Sequence, residues 1–125
     1  MSKRVLVVDD SMLMRKMIGD VLIDDGWEVV GEARNGQEGV DKYEQLRPDA
    51  VTLDIVMPDT DGLYALDRIL QFDPDAKLVV ISALNQTKLI SDAVRKGAHD
   101  FIVKPFMPEQ LKETMASCLE ETATV

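Results

Sequence analysis

The sequence has one cysteine, a deficit of positive charge and no apolar run long enough to cross a bilayer. Cys118 alone cannot close an internal disulfide. Its helical spacing from Leu111 and Met115 marks a partly buried structural thiol. Lysine and arginine total 14 against 23 aspartates and glutamates, a net charge of −9. That balance argues against a nucleic-acid binder, which needs a basic face to displace counterions. Behind Lys3 and Arg4 the apolar residues stop at Asp9, too short for the core of a secretion signal. No stretch approaches the ~20 apolar residues of a membrane span, so a cytoplasmic protein without membrane contact is expected. Glycine-rich phosphate cradles are absent too: there is no GxxxxGK[ST] and no GxGxxG, and GEARNG is neither.

What is present is the composition of a folded chain, 46% hydrophobic and 30% charged. At 125 residues the expectation is one domain covering 1–125. Five short runs read as strands: RVLVV (4–8), WEVVGEA (27–33), AVTLD (50–54), AKLVVIS (76–82) and FIV (101–103). The first, third and fourth are continuously apolar, as in strands covered on both faces of a parallel sheet. Amphipathic segments lie between and after them. The first places Met14, Met17, Ile18, Val21 and Leu22 on one helix face and stops at Gly26. The second turns Val40, Tyr43 and Leu46 inward, and the third Leu63, Leu66, Ile69 and Leu70. The fourth carries Leu89, Ile90, Ala93 and Val94 before Gly97, and the fifth opens at Pro108. Met12, Met14 and Met17 read as core and rim packing rather than a ligand box. Strict alternation predicts an α/β fold, a (βα)5 doubly wound five-stranded parallel sheet with helices on both faces.

In such folds the ligand site lies beyond the carboxyl ends of the strands. The residues there are Asp9 and Asp10, then Asp54, then Ser82, then Lys104. Carboxylates this close repel by roughly 4 kcal/mol per pair at an effective dielectric near 20, so folding alone does not collect them. A hard divalent cation does: Mg²⁺ takes oxygen ligands and keeps several waters. The lysine then calls for further negative charge, which a phosphoryl group supplies, its oxygens shared among Mg²⁺, Lys104 and Ser82. Asp54 is the candidate nucleophile, since an aspartate can form an acyl phosphate. Asp9 and Asp10 suit metal ligation. Asp59 and Asp61, in PDTDG, read as turn and cap residues.

VLVVDDS, LDIVMPDTDG, VVISA and DFIVKPF stand in the order and spacing of the response-regulator receiver domain, and residues 3 to 120 resemble a stand-alone, CheY-like receiver of the chemotaxis type. The resemblance implies a flavodoxin-like strand order 2-1-3-4-5. It implies that Asp54 is the phosphoacceptor, that Asp9, Asp10, Asp54 and the backbone carbonyl of Val56 hold Mg²⁺, and that Ser82 and Lys104 contact the phosphoryl group. It further implies a cis peptide before Pro105. Ser82 and Phe101 become the switch residues, Phe101 where many relatives have tyrosine. Val56 and Leu84 fall on positions that tune how long the phosphoryl group survives, and two apolar residues there suggest slow hydrolysis.

The implied function is a response regulator of a two-component system rather than an enzyme turning over a free substrate. A partner histidine kinase is the phosphodonor, because His99, the one histidine, is badly placed to serve Asp54 and reads as structural or solvent-facing. Phosphorylation shifts the population toward a state whose fourth helix, fifth strand and fifth helix (about 86–120) dock a protein target. The expected target is the flagellar motor switch, with a phosphatase as a further partner; a phosphorelay intermediate is the alternative. Two remoter readings remain. A Mg²⁺-dependent aspartyl phosphatase of the haloacid-dehalogenase type wants a second aspartate two positions on, which Asp54-Ile55-Val56 lacks. A flavin-binding module would show bound flavin colour on purification.

Overall fold

A computed structural model describes residues 3–56, 62–83 and 86–120. Strands and helices alternate along it: β1 Lys3–Val8, α1 Met12–Asp24, β2 Trp27–Ala33, α2 Gly36–Leu46, β3 Ala50–Leu53, α3 Gly62–Phe72, β4 Leu78–Ser82, α4 Thr87–Lys96, β5 Asp100–Val103 and α5 Pro108–Glu120. All four strand pairings are parallel. They join in the order β2-β1-β3-β4-β5. The doubly wound sheet expected from the alternation is therefore the fold. Among the described residues no helix is long and apolar enough to cross a membrane.

The period-2 alternation of strand side chains splits the core into two layers. Leu6, Val8, Val51, Leu53, Leu78 and Val80 face one side, where Val40 and Tyr43 of α2, Ala65, Leu66 and Ile69 of α3 and Ala93 of α4 cover them. Val5, Val7, Val79, Ile81 and Ile102 face the other, under Ile18 and Leu22 of α1 and Leu111, Met115 and Cys118 of α5. Fully burying one such aliphatic side chain contributes roughly 1.5–3 kcal/mol, so these layers supply the stability on which everything at the strand ends depends. Cys118 is fully buried, further in than its spacing suggested, and its thiol donates to the Thr114 carbonyl.

Helix ends are closed by side chains the sequence places there. Ser11 Oγ accepts from the Met14 amide at 3.1 Å, capping α1. Asn35 Oδ1 accepts from the Glu38 amide at 2.9 Å, and Glu38 reaches back to the Arg34 amide. Gly97 ends α4 at φ 121°, a backbone angle that a side chain would strain.

Two helix faces differ from expectation. Met17 is 48% exposed and Val94 49%, although the apolar stripes predict both on the covered faces, and Met12 is 74% exposed. On α1 the sheet covers the narrow stripe of Ile18 and Leu22, and Met17, about 100° round the helix from Ile18, falls outside it. Val94 stands in the same relation to buried Ala93 on α4.

Candidate metal centre at the strand ends

β1 and β3 are neighbours, with Val8 level with Leu53, so the next residue of each strand, Asp9 and Asp54, emerges at the same height. The hydrogen-bond ladder runs one step beyond the strands to fix both. The Asp9 amide donates to the Ala33 carbonyl at 3.0 Å and the Asp54 amide to the Val8 carbonyl at 3.0 Å. On the other side of β3, the Lys104 amide donates to the Ser82 carbonyl at 2.8 Å, anchoring the lysine just past β5. Four chain segments thus converge on one rim because parallel strands all end on the same side.

Asp9 is 1% exposed and Asp54 6%. The Lys104 ammonium donates to Asp9 Oδ2 at 2.8 Å and to Asp54 Oδ2 at 3.2 Å. Backbone amides occupy the remaining oxygens: Ser11 N–H donates to Asp9 Oδ1 at 2.9 Å and Val56 N–H to Asp54 Oδ1 at 3.0 Å. Asp10 is exposed. Carboxylate oxygens of Asp9, Asp10 and Asp54 lie within 4.8 Å of one another.

One ammonium serves two buried carboxylates, and the protonation preferences follow. Burial pushes the Asp54 carboxyl above the ordinary carboxylate range, and the Val56 N–H and Lys104 ammonium only partly offset it, while the Asp9 charge adds to the rise. Burial works against the Lys104 charge, but hydrogen bonds and charge from Asp9 and Asp54 outweigh it and hold the ammonium above the ordinary lysine value. The lysine gains from two partners, whereas Asp54 gets a share of one. The rim carries a surplus of buried negative charge that an added cation would relieve.

The other expected residues are placed as follows. Ser82 ends β4 fully buried. Phe101 is half-buried against the layer under α3 and α4, beside Val80 on the same side of the sheet as Ser82. The Lys104–Pro105 peptide is cis. Val56 is 50% exposed next to Asp54. His99 lies at the opposite, amino-terminal end of β5, where its Nε2 pairs with Ser117 Oγ at 2.8 Å. Leu84, Asp59 and Asp61 lie outside the described residues.

Two contributors were not foreseen. Gly62 opens α3 so close to the turn after β3 that a β-carbon there would lie 2.3 Å from Ile55 Cα and 2.4 Å from the Asp54 carbonyl oxygen. Its amide donates to the Ile55 carbonyl at 3.2 Å, joining the start of α3 to the residue after Asp54. Arg15 reaches from α1 to the Asp9 carbonyl at 2.7 Å. Its signal in the sequence is a cation near a helix N-terminus, where the helix dipole disfavours it, in a helix with no first-turn acid to compensate.

Residues 5–116 match the response regulator receiver domain. The chain is 49% identical over 115 residues to the chemotaxis protein CheY of Thermotoga maritima, covering 92% of this chain and 96% of that one. To the CheY of Bacillus subtilis it is 46% identical over 119 residues, covering 95% and 99%. A crystal structure of a CheX-CheY-BeF3-Mg complex from Borrelia burgdorferi superposes with a TM-score of 0.90 at 37% identity, covering 93% of this chain and 88% of that one. The strand order, the acidic rim and the matches along nearly the whole sequence agree: the chain belongs to the response regulator receiver family.

Proposed function

We propose that this protein is a chemotaxis response regulator that accepts a phosphoryl group on Asp54 and relays it as an altered protein-docking surface. The observation that carries the reading is the Lys104 ammonium bridging Asp9 and Asp54, with a third carboxylate oxygen within 4.8 Å. Three hard oxygen donors and no nitrogen or sulfur suit Mg²⁺. Asp9, Asp10 and Asp54, with the Val56 backbone, would hold it. When bound, Mg²⁺ neutralises the carboxylates and takes up phosphoryl oxygens.

The remaining chemistry belongs to the chain itself. An Asp54 carboxylate oxygen attacks phosphorus and forms a P–O bond while the P–N bond of a phosphohistidine on a partner kinase breaks, its imidazole taking a proton as it leaves. Val56 N–H, already on Oδ1, holds the carboxylate so that the other oxygen is presented. Lys104 exchanges a carboxylate contact for a phosphoryl oxygen and balances the charge that arrives. Ser82 and Phe101, on one side of the sheet and adjacent strands, carry the change toward the α4–β5–α5 face.

The chain is proposed to act in the cytoplasm, with a histidine kinase as donor and a motility component, the flagellar motor switch, as target. The named relatives support chemotaxis. The Borrelia complex, in which CheX joins CheY with beryllium trifluoride and Mg²⁺, supports a second protein partner, for which a phosphatase is the role proposed here. The test is incubation with Mg²⁺ and acetyl phosphate. Wild type is expected to gain one acid-stable but base-labile phosphoryl group, and Asp54→Ala none. An unmodified wild type overturns the reading.

A further inference from the structure

Arg15 is the charged group at this rim that the phosphoryl chemistry does not use. Its side chain is 10% exposed, and a guanidinium so shielded needs its donors met. Nε donates to Glu32 Oε1 at 2.9 Å, and Nη1 donates to the Asp9 carbonyl at 2.7 Å. Glu32 lies on β2, at the sheet edge, so the guanidinium spans from that edge to the turn after β1.

The carbonyl it grips belongs to the peptide joining Asp9 to Asp10. The Asp9 carboxylate has its own anchors in Ser11 N–H and Lys104. The exposed Asp10 carboxylate takes no hydrogen bond among the described residues, so its direction depends on the orientation of that peptide and on its own rotamer. The peptide has two holds: the Asp9 amide on the Ala33 carbonyl before it, and Arg15 on its oxygen.

We propose that Arg15 is a positioning residue for the metal centre, clamping the Asp9–Asp10 peptide against β2 so that the Asp10 carboxylate is aimed at the cation position shared with Asp9 and Asp54. The inference rests on the Mg²⁺ reading of that centre. A planar fork can satisfy Glu32 and the carbonyl at once, which the point charge of a lysine cannot do in the same geometry. Groups that orient metal ligands commonly change metal affinity by about 10–100-fold when removed.

The experiment is calorimetric Mg²⁺ titration of the full chain without any phosphodonor. Arg15→Gln and Arg15→Lys are each expected to bind Mg²⁺ about 10-fold more weakly than wild type. Their labelling by acetyl phosphate should fall at limiting Mg²⁺ and return to the wild-type rate when Mg²⁺ saturates, a split that a general loss of structure would not give. Wild-type affinity in Arg15→Gln overturns the proposal. So does wild-type affinity in Arg15→Lys beside a weakened Arg15→Gln, which would assign the effect to charge alone. If neither variant folds, Glu32→Ala decides, since it keeps the arginine and removes its brace: weakened binding is expected, and unchanged affinity overturns the clamp. A wild-type chain that binds no Mg²⁺ overturns the underlying site reading, and is distinguishable because it precedes any comparison of variants.

Discussion

The sheet interior and the sheet rim are built from the same strands, one residue apart. Val8 and Leu53 are buried among aliphatic side chains; Asp9 and Asp54, the next residues, are almost as buried and share one ammonium. Inside, every neighbour removes apolar area from water and the contacts reinforce one another. At the rim, two buried carboxylates share one lysine where water screens them poorly, with the exposed Asp10 carboxylate close by. The interior produces stability and the rim draws on it, which is the arrangement expected where a site must be left electrostatically incomplete for a ligand to finish.

The comparison breaks hardest if the interior is hollowed. Leu66→Ala, in the centre of the layer under α3, should cost about 4 kcal/mol by urea denaturation, from lost transfer and an unfilled cavity. The fraction that stays folded should still accept a phosphoryl group normally. Gly62→Ala strikes the joint between the two regions. Its β-carbon meets backbone rather than a side chain that can swing away, so a loss of roughly 3 kcal/mol is expected. Here labelling of the folded fraction should fall too, because the backbone of Asp54 and Ile55 must shift.

Asp54→Asn sharpens the contrast by removing charge from the rim, and without Mg²⁺ it should stabilise the protein by about 1–2 kcal/mol at neutral pH. The sign follows from linkage. Folding raises the Asp54 pKa, so this carboxyl contributes stability below its unfolded value and loses it as pH climbs through the raised one. Thermal melts from pH 7 downward should therefore show the advantage of Asp54→Asn shrinking as the wild-type carboxyl takes up its proton. The smallest effect tests the interior's own lapse. Thr52 Oγ1 is buried with no hydrogen-bond partner among the described residues, on the sheet side lined by Val5, Val7 and Val79. Thr52→Val should gain up to about 1 kcal/mol.

The interior was largely legible in the sequence because alternating burial leaves a periodic trace. WEVVGEA marked β2 to the residue, and Gly97 and Pro108 marked helix ends. The helix faces were less so, since Met17 and Val94 continue an apolar stripe wider than the surface that covers it. At the rim, Asp9, Asp10, Asp54, Ser82 and Lys104 could be gathered from the rule that parallel strands end together. Their distances could not, nor could the contacts made by Arg15 and Gly62. An arginine that grips a backbone carbonyl, with its acidic partner 17 residues away on another element, leaves no local pattern to notice, and a glycine required by backbone proximity looks like any turn glycine until the neighbouring chain is in place.

The Lys104 contact with Asp9 spans 95 residues and that with Asp54 spans 50. Contacts of such separation form late, after local helices and the first strand pairs. A chain emerging without β5 therefore carries its acidic residues before it has the lysine that holds two of them, and cannot yet present a braced acceptor. Under the function proposed above, competence to receive a phosphoryl group arrives with the last strand, and the same ion pairs that shape the site restrict labelling to chains in which β5 has docked.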